Sequence, residues 1–166
     1  MTAMPATRED LFARLDQLGI KTTTVDHAPV YTVEESQALC GGIPGGHCKN
    51  LFLKDKKGVL WLVVTLEDAQ VDLKTLPKTI GSGRLSFGKS ELLGDVLGVE
   101  PGSVTPFALI NDVDQKVEVV LDETMLSHEV LNYHPLKNDA TTSIAAPDLV
   151  KFVQSCGHTP KIVKVA

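Results

Sequence analysis

Leu11, Phe12, Leu15 and Leu18 recur at helical spacing, which predicts a helix over Thr7–Leu18 that Gly19 stops. Thr22, Thr23, Thr24 and Val25 predict a strand over Lys21–Asp26, broken by His27-Ala28-Pro29. Thr32 can cap a short helix through Leu39, with Glu34 and Glu35 in its first turn. A Gly-rich segment follows, from Gly41 to Gly46. Next comes the clearest hairpin: Lys49–Lys54, a turn at Asp55-Lys56-Lys57-Gly58, and Val59–Leu66. Its second arm is apolar on both faces, the mark of a central strand. Asp72–Thr79 predicts a weak helix, and Ser90–Leu97 a better one that Gly98 stops. Phe107–Asn111, Lys116–Leu121, Thr141–Ile144 and Lys161–Val165 read as strands, and Pro147 opens a helix that runs to Gly157. The pattern predicts an α/β (α+β) domain whose sheet is mixed or mainly antiparallel, because several strands are hairpin-connected.

Composition narrows this little. At 166 residues and 43% hydrophobic, the chain fits one domain spanning 1–166, with no repeat or long linker. Val59–Val64 is the longest apolar run, too short for a membrane span, and the first ten residues hold no secretory h-region. Three cysteines without a C-x-x-C pair then predict reduced thiols and a cytoplasmic protein. Charge changes the picture more. A net charge of −5 argues against coating DNA or RNA by bulk charge. It still permits a grip on one nucleotide end by a few placed residues.

Candidate chemistry gathers at three Gly- or Pro-bearing places. In Gly45-Gly46-His47-Cys48-Lys49-Asn50, Lys49 enters a strand from a Gly-rich loop and can offer a point charge to a phosphate. A solvent-facing strand lysine has the same spacing, and the P-loop pattern is absent. In Gly102-Ser103-Val104-Thr105-Pro106, a glycine between prolines can expose N–H groups to an oxyanion, or simply connect two elements tightly. Asn132-Tyr133-His134-Pro135-Leu136-Lys137-Asn138 with Thr141-Thr142-Ser143 can line a polar pocket, or hold a structural histidine. Cys40, His47 and Cys48 lack zinc-finger spacing, so neither metal nor other cofactor is expected. Cys48 and His47 point to opposite faces of a strand, which disfavours a nucleophile–base pair. Cys156 reads as core, and His128 and His158 as surface or capping residues.

Lys49-Asn50-Leu51-Phe52-Leu53, then Gly102-x-x-x-Pro106, then His134-Pro135-Leu136-x-Asn138 with Thr141-Thr142, resembles the YbaK/ProX-type aminoacyl-tRNA deacylases. These are free-standing relatives of the editing domain inserted in bacterial prolyl-tRNA synthetase. The resemblance covers nearly the whole chain and is closest to the ProX branch, which acts on alanyl-tRNA(Pro). It implies a mixed, mostly antiparallel curved sheet flanked by short helices. The implied reaction is trans-editing hydrolysis of the ester between alanine and the terminal adenosine of mischarged tRNA(Pro). Lys49 would hold that adenosine's phosphate and Gly102 would offer an N–H to the ester carbonyl, with Ser103 and Pro106 completing the cradle. Asn50, His134 and Thr141 would lie near the ester or the amino-acid pocket. Leu136 and Asn138 belong to the same implied substrate-binding set, and Leu51, Ile43, Val104 and Leu136 are candidate walls. No Ser-His-Asp set is needed for an activated ester, and the neighbouring ribose hydroxyl can position water. The partner would be the CCA end of tRNA(Pro), with prolyl-tRNA synthetase as a candidate for delivery. A cysteinyl-tRNA(Pro) deacylase and a non-catalytic tRNA-end binding module remain as alternatives.

Overall fold

The computed structural model describes residues 5–29 and 45–166. The expected Thr32–Leu39 helix, Cys40, Ile43 and the glycines at 41 and 42 lie outside the described residues.

Strands β2 (Gly46–Asp55) and β3 (Leu60–Leu66) form the predicted hairpin, in a register that pairs Lys49 with Thr65 and Phe52 with Leu62. Asp55 makes the turn. Its Oδ1 accepts from the Lys57 and Val59 N–H groups, and Gly58 takes the left-handed conformation at φ +86°. As its two-sided apolar pattern requires, β3 is central, with β5 (Val117–Asp122) parallel on its other side and β8 (Lys161–Val163) parallel beyond that. On the other side of β2, β6 (Val130–Tyr133) pairs in parallel; β7 (Ala140–Ala145) and β1 (Thr22–Asp26) follow antiparallel. The short β4 (Leu85–Phe87) pairs antiparallel with the far end of β2. Among the described residues four of the seven pairings are antiparallel, so the expected majority is slight.

Each face of the sheet carries its own core. One holds Phe52, Leu62, Val64 and Val119 under α1 (Arg8–Gln17), α3 (Ser90–Leu97) and α4 (Ala146–Ser155), contributing Leu11, Leu15, Leu93, Leu97, Leu149 and Phe152. The other holds Leu53, Trp61, Val63 and Val120 under α2 (Leu76–Ile80). Helix α1 starts at a capping box, in which Thr7 and Asp10 exchange side-chain bonds with each other's backbone N–H. Gly98 ends α3 in the left-handed region, and Pro147 sits in the first turn of α4. Among the described residues no helix is long and apolar enough to cross a membrane.

Four expectations change. Phe107–Asn111 is not a strand: Pro106–Asn111 is a 3-10 helix, with Thr105 Oγ1 accepting from Phe107 N–H and proline at its start. The helix expected over Asp72–Thr79 is confined to α2, because Asp72 Oδ1 takes the Lys74 N–H and its carbonyl the Thr75 N–H, which makes a turn instead. His158 is no surface residue; it is buried with Nε2 3.3 Å from Asp112 Oδ2, whose carboxylate also accepts from Lys116 and Val117 N–H. Cys156, expected in the core, packs against the larger core at its edge and is partly buried.

Candidate active site

Alternation along β2 sends successive side chains to opposite faces. Cys48 and Phe52 face the larger core, Leu51 and Leu53 the smaller one. Asn50 shares a face with Cys48. Its Nδ2 donates to the Val104 carbonyl at 3.0 Å, which ties β2 to the Gly102–Pro106 loop. Because a carbonyl can only accept, this bond fixes which way the amide points. Asn50 Oδ1 is then buried without a hydrogen-bond partner among the described residues. Asn50 borders two spaces. One is a cavity of about 20 Å³ shared with His134, Thr141, Cys48, Asn132, Tyr133 and His47. The other is a groove of about 340 Å³ walled by Phe52, Phe87, Leu93, Pro101 and Val104.

His134 leaves the end of β6 and is held by its own loop. Leu136 N–H donates to the His134 carbonyl at 2.9 Å around Pro135, and Leu136 sits at φ +77°. A leucine there stores strain of about 1–3 kcal/mol. His134 Nδ1 faces the Ala140 carbonyl at 2.8 Å and therefore carries the ring proton. Burial holds its pKa below the ordinary histidine value, with the Ala140 bond opposing and the neighbouring His27 assisting. The ring is accordingly neutral, with its lone pair on Nε2. His27, which follows β1, packs edge-on against it at 6.2 Å. His27 Nδ1 faces the Ala28 carbonyl at 2.7 Å, and Nε2 faces Thr141 Oγ1 at 2.8 Å. Arg8 clamps this corner by pairing with Asp26 at 2.7 Å and Asp139 at 3.1 Å.

Gly102 lies inside a single 3-10 turn, Pro101–Ser103, that the Ser103 N–H closes on the Glu100 carbonyl. Gly102 stands one residue ahead of the closing donor, where a backbone N–H has no partner within the turn. Ser103 and Pro106 are buried and support the loop. Cys48 is pushed up to about 12 by burial, so it stays a thiol at neutral pH and is no nucleophile.

The fold therefore brings Asn50, His134 and Thr141 to one cavity and joins the Gly102 loop to it through Val104. Lys49 is on the other face of β2, where its Nζ donates to the Ala69 carbonyl at 2.6 Å. It does not border the small cavity. Leu51 packs with the opposite core. Leu136 borders a separate space of about 760 Å³ beside Arg8 and Lys137. Asn138 stands partly buried in the same loop.

A family model for the aminoacyl-tRNA editing domain matches residues 27–152. That span holds all three motifs and the whole cavity. The chain belongs to the aminoacyl-tRNA editing domain family. Among relatives of this editing family, the prolyl-tRNA editing protein ProX of Acetoanaerobium sticklandii is 38% identical over 159 residues, 95% of this chain and 97% of its own. The prolyl-tRNA synthetase associated domain-containing protein 1 of Bos taurus is 42% identical over 161 residues, 94% of each. The fold matches the crystal structure of a candidate trans-editing enzyme for prolyl tRNA synthetase at TM-score 0.72 and 19% identity, over 99% of this chain and 100% of that one.

Around the editing-domain cavity and its neighbouring groove stand residues that sequence reasoning passed over, His27 and Phe87. His27 reads as a strand breaker, and its partner Thr141 is 114 positions away. Asn132 is buried between the Gly46 carbonyl and the Ser143 hydroxyl and holds β6 against the start of β2. No local signal marks His27; the antiparallel pairing of β1 with β7, which aligns Val25 with Thr141, brings it in, whereas Asn132 belongs to the polar run singled out from the sequence and is placed by its pairing with Ser143 on β7. Phe87 is missed because β4 is only three residues long, yet its ring is 65% exposed beside the groove.

Proposed function

We propose that this protein hydrolyses the ester of alanyl-tRNA(Pro), and that one observation carries the reading. The Asn50 amide spans from the Gly102–Pro106 loop to the cavity of His134 and Thr141, so an oxyanion donor and an amino-acid pocket adjoin at one side chain. Water adds to the ester carbonyl carbon, and the developing oxyanion accepts from Gly102 N–H. The bond to the ribose oxygen then breaks, that oxygen takes up the proton released by the water, and alanine leaves. A missing oxyanion donor costs about 2.7–4 kcal/mol in other hydrolases. Lys49 serves as a phosphate anchor rather than a base, since an ammonium has three donors and Ala69 takes one.

Lys54, Lys56, Arg84 and Lys89 border one depression of about 750 Å³ that meets the groove at Phe87. This supports an acceptor end that enters along β4 with its phosphates on the basic side chains and its terminal bases near Phe87. Lys137 borders the separate space beside Arg8, and Lys151 donates to the Leu18 carbonyl.

The test is deacylation of alanyl-, cysteinyl- and prolyl-tRNA(Pro) with Lys49→Ala as control. Fast loss of alanine alone, slowed in the variant roughly 10- to 150-fold as the loss of one charged phosphate contact of about 1.5–3 kcal/mol implies, is the expected result. Preference for cysteine would move the chain to the cysteine branch with the same chemistry. No hydrolysis of any of the three overturns the reading.

A further inference from the structure

The groove of about 340 Å³ beside Asn50 has a built floor and an exposed rim. Phe52, Leu93 and Val104 belong to the larger core and form its apolar wall. Gly88 shapes it. A Cβ at Gly88 would overlap the Phe52 ring, so glycine lets the turn from β4 into α3 lie directly on that ring. The Gly88 N–H fixes the turn there by donating to the Phe52 carbonyl at 2.9 Å. This close approach leaves Phe87 at the rim with 65% of its surface exposed. Among the described residues, none of those lining the groove carries a charge. Its volume falls at the lower end of small-molecule sites, which run from roughly 300 to 1,000 Å³.

Shared residues fix where the groove stands. Asn50 borders both it and the small cavity. Pro101 and Val104, on either side of Gly102, wall it. Phe87 borders both it and the depression of Lys54, Lys56, Arg84 and Lys89. The order over the surface is therefore cavity, Gly102 loop, groove, cations. Along the 3′ end of an aminoacylated chain the order is amino acid, ester carbonyl, terminal nucleoside, preceding phosphates. The two orders match place for place, and the groove falls to the nucleoside. An alanyl methyl would leave most of it empty, whereas a flat, uncharged base can lie on an exposed aromatic ring. We propose that this groove seats the terminal adenine of the aminoacylated end, stacked on Phe87 above the Phe52 floor. The inference rests on the ester-hydrolase reading and turns its entry path along β4 into a binding site for one base.

The test removes the base and keeps the ester. The 3′-alanyl esters of adenosine and of its abasic counterpart are compared by kcat/KM on the intact protein. The adenosine ester should be faster by about 5- to 150-fold, the range that stacking of one base on an aromatic side chain supplies. Equal rates overturn the proposal. In Phe87→Ala that ratio should shrink toward one, and in Phe87→Trp, which keeps a stacking surface, it should be retained. A Phe87→Ala variant that slows both esters by the same factor counts against stacking and assigns Phe87 a structural role. Binding separates this inference from the reading beneath it. The inert 3′-alanylamido-adenosine and its abasic counterpart are titrated into Phe87→Trp, and indole emission is followed against the wild type, whose Trp61 is buried on the other face of the sheet. A change in emission with the adenosine compound alone, without hydrolysis of alanyl-tRNA(Pro), sinks the catalytic reading and keeps the base site. No difference between the two compounds sinks the base site even where hydrolysis proceeds.

Discussion

His134 is held neutral by its surroundings, and this has a cost in acid. Its pKa in the folded protein lies below the ordinary 6.5. In the unfolded chain the ring titrates at the ordinary value. Above about pH 6.5 both states are neutral and the contribution to stability is fully present. As the pH falls below that value, the unfolded chain takes up a proton that the folded one resists, so stability falls. One group can account for at most about 1.4 kcal/mol per pH unit. Urea midpoints between pH 7.5 and 5.5 should therefore drop more in the wild type than in His134→Asn, whose amide can still donate to the Ala140 carbonyl. Equal drops would mean that the ring is not held neutral. The sequence marks His134 as a candidate, from its place in the His-Pro-Leu-x-Asn motif, but not its tautomer or its neighbour. Those depend on Ala140, which the β6–β7 hairpin folds back onto the ring, and on His27, which the β1–β7 pairing brings near.

At the scale of elements, the stop signals carry much of the architecture and can be weighed against one another. Gly98 ends α3 at φ +66°, and a Cβ there would meet Asn111 Nδ2 and Pro5 Cβ at 2.9 Å each. Gly19 ends the α1 turn at φ +71° with nothing within 4 Å. Gly19→Ala should cost about 1–2 kcal/mol, the left-handed penalty alone. Gly98→Ala should cost clearly more, since Asn111 also donates to the Leu97 carbonyl and accepts from Ala6 N–H, and would have to move. Denaturant midpoints at unchanged m-value measure both, and equal costs would show that the Asn111 contact yields freely. These stops, the hairpin turn and the helix stripes were legible because each is local. Phe107–Asn111 was not. An apolar run with a β-branched residue reads as a strand, but Phe107 is buried between Tyr133 and Phe152, with ring centroids at 5.9 and 5.4 Å. A 3-10 segment buried on every side has no periodicity to show. Strand β6 was hidden for a related reason: its polar Asn132 faces a buried network instead of solvent.

For the whole molecule, the question is how a chain of net charge −5 meets a polyanion. The sum of charges is a poor guide because the cations are not evenly spread. Lys54, Lys56, Arg84 and Lys89 share one depression, and its acidic lining residue, Asp55, is buried with its carboxylate taken up by Lys57, Val59, Trp61 and Gly83 donors. Arg8, by contrast, is held by two aspartates, and Lys161 by the Ile80 carbonyl. Four clustered cations release about four counterions from a duplex end, and fewer from a single strand. The logarithm of kcat/KM for alanyl-tRNA(Pro) should then fall against log salt with a slope of magnitude no more than about 4. Charge reversal of Arg84 and Lys89 together should reduce that slope by about 2 and leave hydrolysis of a short 3′-alanyl-adenosine ester unchanged, because that ester carries no stem. A slope equivalent to eight or more phosphates would require a second basic surface. An unchanged slope in the double variant would move the stem away from β4. The composition gave the expectation of a small footprint; the position of that footprint depends on β4 folding back on β2, which a three-residue strand does not announce.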